Sequence, residues 1–108
     1  MSFLKRTFTI NYPGCEPVLK DGFSLGPLAV HDDEGAFIIT HIHGGFIIAI
    51  FNSNRLAAFY MRKAWHWEEW KDTRLNKNHT DFLENVNYNL KLRHSKLLAE
   101  IDDKFRKT

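Results

Sequence analysis

The first half of the chain alternates apolar and polar residues in short runs, which is the pattern of half-buried β-strands. The runs are residues 3–12, 28–31, 36–43 and 46–51. Residues 13–27 contain all three prolines and three of the six glycines. We therefore expect a loop there, with at most a short strand at residues 17–20. The pattern predicts an antiparallel meander of three or more strands within residues 3–51.

The second half changes to the apolar spacing of amphipathic helices. Residues 52–54 are an Asn-Ser-Asn triplet, and these residue types cap helix N-termini. The apolar positions that follow predict a helix over about residues 53–70, and a second helix is predicted over about residues 80–106, capped by Thr80. Because the strands precede both helices, the predicted fold class is α+β. The length of 108 residues predicts a single domain, residues 1–108.

The stretch FIITHIHGGFIIAIFN, residues 37–52, places two histidines in an apolar run before a Gly-Gly pair. Gly44-Gly45 predicts a two-residue hairpin turn, which would set His41 opposite Ile48. Side chains alternate between the two faces of a strand, so His41 and His43 would share one face with apolar partners. The first helix would pack on the other face. That face would bear Ile38, Ile42, Ile47, Ala49 and Phe51.

A metal site needs three or four ligands around one point. A turn over residues 32–35 would pair His31 with Ala36, on the face away from His41 and His43. The histidines therefore do not converge, and Cys15 is the only cysteine. The sequence has no phosphate-binding glycine loop, nucleophile elbow or H-E-x-x-H motif. We expect no metal, no cofactor and no catalytic residue, and we interpret the histidines as strand residues.

All three tryptophans lie within six residues, in the stretch AWHWEEWK, residues 64–71. Consecutive helical positions differ by ~100°, so the three rings cannot all face one core stripe. Trp67 lies on the predicted stripe and Trp65 points away from it. Either Trp65 packs against the second helix, or it belongs to a contact surface, since Trp and Arg are enriched in binding hot spots. The predicted partner-binding residues are Phe59, Arg62, Trp65, His66, Arg74 and Lys77.

The second predicted helix carries an apolar stripe along its whole length. A helix of about 26 residues spans roughly 39 Å, which is more than a domain of this size requires. Each large apolar side chain left exposed costs about 1.5–3 kcal/mol, so something must cover the stripe. We favour a homodimer through Leu97, Ile101 and Phe105, because symmetric pairs are the commonest oligomers. The alternative is that the helix folds back over its own sheet.

Composition narrows the classes of function. Hydrophobic residues make up 44% and charged residues 26%, which is typical of a folded protein. No apolar run reaches the ~18 residues of a membrane helix, and the N-terminus lacks the pattern of a secretory signal. We therefore expect a cytoplasmic protein without membrane contact. Residues 1–54 carry three Lys/Arg and five Asp/Glu, and residues 55–108 carry twelve Lys/Arg and eight Asp/Glu. A nucleic-acid-binding protein usually has a stronger excess of positive charge than this.

The segment ITHIHGGFIIAIFNSNRLAAFY, residues 39–60, contains a strand, a Thr-His-x-x-x-Gly-like turn, a second strand and an Ala-rich helix. In this order it resembles small uncharacterised proteins of phages and plasmids, although His43-Gly44 stands where their turn usually carries proline or threonine. Some such proteins, anti-CRISPR proteins among them, inhibit a host defence complex. The resemblance implies a non-enzymatic protein that binds a protein partner. The alternatives are a small nucleic-acid-binding accessory protein and a histidine-metal protein or enzyme.

Overall fold

The computed structural model describes residues 2–12, 14–71 and 88–106, in which five strands precede two α-helices. The strands are β1 (Leu4–Ile10), β2 (Val18–Leu25), β3 (Leu28–Asp33), β4 (Ala36–His41) and β5 (Ile47–Phe51). The helices are α1 (Asn54–Ala64) and α2 (Tyr88–Arg106), and a 3₁₀ turn, Glu68–Lys71, follows α1. The predicted α+β fold, an antiparallel sheet followed by two helices, is confirmed.

The strands form one antiparallel sheet in the order β1-β2-β3-β4-β5, so each strand pairs with its neighbour in sequence. The prediction of a loop over residues 13–27 was wrong, because β2 occupies residues 18–25 and pairs with the whole of β1. The turn between β3 and β4 is also tighter than predicted. Asp33 pairs with Ala36, and His31 therefore lies opposite Ile38.

The connection between β4 and β5 is a five-residue segment, residues 42–46, and the predicted two-residue turn was wrong. Three hydrogen bonds to His41 shape this loop. The His41 amide donates to the Phe46 carbonyl (3.0 Å), and the Gly45 amide donates to the His41 carbonyl (2.7 Å). The Gly44 amide donates to Nδ1 of the His41 ring (3.0 Å). The backbone of His41 thus makes two of these bonds and its side chain makes the third.

The longer loop changes the register of β4 on β5. Thr40, rather than Ile42, pairs with Ile47, and a β-bulge separates this pair from the next one. The face under α1 contains Ala49 and Phe51, as predicted. The other three residues predicted for that face lie on the opposite one. These residues are Ile38, Ile42 and Ile47. The one-residue slip exchanges the faces of β4 relative to β5, and the β-bulge puts Ile47 on the face opposite Ala49.

The main core lies between the sheet and the helices. Ala57 and Ala64 of α1 are fully buried, and their small side chains let the helix lie close to the sheet. The other buried members of this core are Leu25, Leu28, Val30, Ile39, Phe46, Ile48, Tyr60, Met61, Trp70, Leu90, Leu97 and Ile101.

On the face away from the helices, the sheet curls and buries a second, smaller apolar cluster. The Phe8 ring of β1 lies 5.8 Å from the His31 ring of β3, although these strands are not neighbours. Beyond β1, the Asn11 amide donates to the Gly45 carbonyl (2.6 Å) in the loop between β4 and β5. Large parts of β3 and β4 are therefore buried on both faces.

The first helix is shorter than predicted and ends at Ala64. Carbonyl groups in the last turn of a helix have no partner within the helix. The indole Nε1 of Trp70 donates to the Ala64 carbonyl (2.6 Å), which turns the backbone back after α1. Ser53 caps the start of α1, in agreement with the capping residues seen in the sequence. The predicted start of the second helix at Thr80 lies outside the described residues.

Candidate functional site

The structure divides the predicted partner-binding residues between two sides of α1. Phe59 lies on the side of α2, where its ring centroid is 5.3 Å from that of Phe105. The Arg62 guanidinium lies instead over the Phe3 ring. Arg74 and Lys77 lie outside the described residues.

Arg62 and Trp65 lie on the side of α1 that faces β2. The Arg62 guanidinium is 5.3 Å from the centroid of the Phe3 ring. The Trp65 ring covers the turn between β2 and β3, where a Cβ on Gly26 would come within 2.8 Å of it. Trp65 is partly buried and His66 is exposed beside it, their ring centroids 5.6 Å apart. Trp65 thus packs on the sheet; packing against the second helix was one of the two alternatives that the sequence left open.

Arg62 stands beside an apolar groove between α1 and the sheet. This groove, here named the Arg62 groove, has a volume of about 180 Å³. Phe23 lies in its wall and remains 50% exposed. The lining residues are Phe3, Phe23, Val30, Asn54, Ala58 and Arg62.

The local sequence explains why these side chains meet. The α1 residues Asn54, Ala58 and Arg62 are spaced by four and therefore lie on one side of the helix. Phe23 alternates with Leu25, which belongs to the main core, and so it points to the helix side of β2. Sequence reasoning missed Phe23 because its segment was interpreted as a loop. The alternation of Phe23 with Leu25 was the signal that could have found it.

The charge beside the Arg62 groove is positive. No carboxylate of the described residues forms an ion pair with Arg62. Lys5 pairs with Phe23 across β1 and β2, so its side chain projects from the same face. Asp21 lies two residues before Phe23 on that face and accepts a hydrogen bond from the Thr7 hydroxyl (2.6 Å). The groove therefore combines apolar walls with a guanidinium that is available to an anionic group.

A second surface, here named the Phe105 surface, lies between α1 and α2 and combines aromatic rings with cations. Lys104 Nζ is 4.7 Å from the Phe59 centroid, and the Arg55 guanidinium is 5.0 Å from the Phe105 centroid. Acidic residues offset part of this charge. Glu100 lies 4.0 Å from Lys63, and Asp102 lines a shallow groove next to Phe105.

The residues predicted to form a dimer are covered within the same protein molecule. Leu97 and Ile101 are only 5% and 4% exposed, and both belong to the main core. Phe105 is partly buried against the same core. The structure thus corresponds to the alternative in which the second helix covers its stripe within one molecule, but α2 packs mainly on α1 rather than folding back over the sheet. The exposed stripe that motivated a dimer is not present at Leu97 and Ile101.

His41 is fully buried and both of its ring nitrogens bind the backbone. Nδ1 accepts a hydrogen bond from the Gly44 amide, and Nε2 lies 3.1 Å from the Trp70 carbonyl. Since a carbonyl only accepts, the proton of the neutral ring is on Nε2. Burial lowers the pKa of His41, and His43 lowers it further, whereas the bond to Trp70 opposes this shift. His41 is the last residue of β4, in agreement with its interpretation as a strand residue, but its ring stacks on that of Phe46 (5.1 Å between centroids) and it does not pair with Ile48 as predicted.

Two more histidines are buried in the structure. His94 lies against the Tyr60 hydroxyl, and burial lowers its pKa to about 4. His31 is on the curled face, where burial and the charge of Lys20 lower its pKa. Neither ring nitrogen of His31 has a hydrogen-bond partner in the described residues, nor does the Thr40 hydroxyl.

Across residues 2–12, 14–71 and 88–106, no group of three His, Cys, Asp or Glu side chains is placed to hold a metal ion. Cys15 is exposed and forms no disulfide within these residues. In the same part of the sequence, no helix is long and apolar enough to cross a membrane.

Comparison with known proteins found no family model, no curated protein and no solved structure that matches this protein.

Proposed function

We propose that the protein is a non-enzymatic binding protein that engages a protein partner through the Arg62 groove. One observation carries this proposal. The Arg62 guanidinium, which has no carboxylate partner in the described residues, stands beside an open apolar groove that contains the half-exposed Phe23. Apolar surface framed by polar groups is typical of interaction sites. Arginine and aromatic side chains also supply much of the energy at protein interfaces.

The resemblance of residues 39–60 to phage and plasmid proteins extends the proposal to the kind of partner. The partner that this resemblance favours is a host defence complex, which the protein would inhibit by direct contact, as anti-CRISPR proteins do. Two of the histidines with lowered pKa values support binding rather than catalysis. His41 and His94 are committed to hydrogen bonds inside the core, away from the open grooves.

A second candidate function is nucleic-acid binding through the Phe105 surface. Lys104 and Arg55 lie over aromatic rings there, and this combination suits base stacking together with phosphate contact. Glu100 and Asp102 oppose phosphate on the same surface. Nucleic-acid binding would weaken steeply with salt, whereas binding of an apolar protein segment would change little.

The test is affinity capture from host lysate, identification of the bound protein, and titration with that protein in purified form. We expect Arg62→Glu to weaken binding about tenfold or more, since it reverses the charge at the groove. The matched control is Lys63→Glu, which makes the same charge change at an adjacent position over Phe59. Equal affinity of both variants for the partner would contradict the proposal. Loss of binding with Lys104→Glu alone would favour the Phe105 surface.

A further inference from the structure

The Arg62 groove has the size of one aromatic ring. Its volume is about 180 Å³, and an apolar cavity of roughly 150 Å³ is enough for benzene. Phe3 and Phe23 both line the groove, and an inserted ring can meet aromatic rings edge to face. Ala58 on the helix side is small and leaves the space between them open. The groove is thus shaped for a flat apolar group rather than for a long flexible one.

The charges that face the groove favour a ligand with a carboxylate. Arg62 is held over Phe3 and has no carboxylate partner in the described residues. Lys5 adds a second cation from β1. Asp21 is the acidic residue of β2 on this face, and its carboxylate is bonded to the Thr7 hydroxyl. A guanidinium binds a carboxylate through two parallel hydrogen bonds, which would fix the orientation of the ligand.

We infer that the Arg62 groove receives one aromatic side chain of the partner protein, with an adjacent carboxylate of the same segment paired to Arg62. The ligand is therefore a peptide segment in which Phe or Tyr stands beside Asp, Glu or a terminal carboxylate. This inference rests on the proposed function and specifies the chemistry recognised at the same surface.

A fragment titration tests this chemistry without the partner. The probe is 3-phenylpropionate, which joins one ring to one carboxylate, and the control is 3-phenylpropanamide, which has the same shape and no charge. Each is added to the ¹⁵N-labelled protein and followed by NMR. We expect saturable shifts at the amides of Phe23, Ala58 and Arg62, with dissociation constants of roughly millimolar order for so small a ligand. The acid should bind about three- to tenfold more tightly than the amide.

Three variants test separately what the ring and the charge of the fragment contribute to its affinity. Arg62→Gln removes the charge, so the acid should lose its advantage while the amide binds as before. Lys63→Gln removes the same charge from the neighbouring position and should leave the advantage intact. Ala58→Leu fills the groove and should abolish binding of both fragments, with urea unfolding used to show that the variant is folded.

The outcomes also distinguish this inference from the proposed function. Shifts that do not saturate, or that appear only around Phe105, would overturn the inference. Equal binding of acid and amide to the wild type would overturn the role of Arg62. If the partner depends on Arg62 and neither fragment binds, the groove is an interface but not a ring pocket. If the fragments bind and the partner is insensitive to Arg62→Glu, the proposed function fails.

Discussion

The hydroxyl oxygen of Tyr60 lies 2.7 Å from Nδ1 of His94, and this buried contact joins α1 to α2. The two rings meet edge to face with their centroids 5.7 Å apart. Burial raises the pKa of Tyr60 and lowers that of His94 to about 4, so both side chains are neutral at pH 7. The helices are therefore held together at this point by a hydrogen bond between uncharged groups.

We expect acid to destabilise the protein through His94. Its folded pKa is about 4 and its ordinary value is 6.5, so the unfolded state binds the proton more readily between these values. The stability is complete above about pH 6.5 and falls as the pH drops towards 4, by up to about 3 kcal/mol from this residue. Burial shifts the pKa of His31 and His41 in the same direction, so they add to the trend.

Urea unfolding of the wild type and of His94→Gln, at neutral and at mildly acidic pH, measures this contribution. Glutamine retains a hydrogen-bonding group and does not titrate in this range. The variant should therefore lose less stability than the wild type on acidification. An identical loss in both proteins would show that His94 is not the group responsible.

The hydrogen bonds of His41 predict its tautomer. Nδ1 accepts from the Gly44 amide and Nε2 faces the Trp70 carbonyl, so the neutral ring should carry its proton on Nε2 at pH 7. Long-range ¹H–¹⁵N NMR spectra distinguish a protonated from an unprotonated ring nitrogen. His43, which is exposed, serves as the internal reference. A proton on Nδ1 of His41 would contradict the described loop.

Gly26 should be sensitive to substitution because Trp65 covers it. Its φ is +58°, and a Cβ there would come within 2.8 Å of the Trp65 ring. Gly14 is the matched control, since its φ is +71° and nothing lies within 4 Å of an added Cβ. We expect Gly26→Ala to lower the free energy of unfolding, measured in urea, by about 1–3 kcal/mol more than Gly14→Ala. Both substitutions strain the backbone, but only the one at Gly26 also forces a methyl group against the Trp65 ring. Equal costs would mean that Trp65 does not rest on this turn.

Leu97 should contribute to the stability of the monomer. It is 5% exposed, whereas Leu92 on the same helix is 41% exposed. Leu97→Ala should therefore cost about 2–5 kcal/mol, and Leu92→Ala about 0.5 kcal/mol or less. The wild-type unfolding midpoint should not depend on protein concentration. A midpoint that rises with concentration would show that a second copy of the protein helps to cover α2.

The α+β class, the order of strands before helices, the Ser53 cap and the apolar face of α2 were all predictable, since each depends on residues close together in the sequence. The register of β5 was not, because the loop before it is shaped by His41 and by the carbonyl of Trp70, 29 residues away. Strand β2 was missed for a similar reason. Its Gly22 resembles a loop residue, but it lies against the Val30 carbonyl, where a side chain would collide.

The candidate site likewise has features that the sequence predicts and features that depend on the tertiary structure. The sequence by itself determined that Arg62 and Trp65 leave the core stripe of α1, because helical spacing alone decides which positions share a face. Only the tertiary structure decided what lies beside them. Phe3, which precedes β1, and Phe23 of β2 are far from α1 in sequence and meet Arg62 once the sheet packs under the helix. It also decided that α2 covers its stripe within one molecule, since periodicity shows that a face is apolar but not which surface buries it.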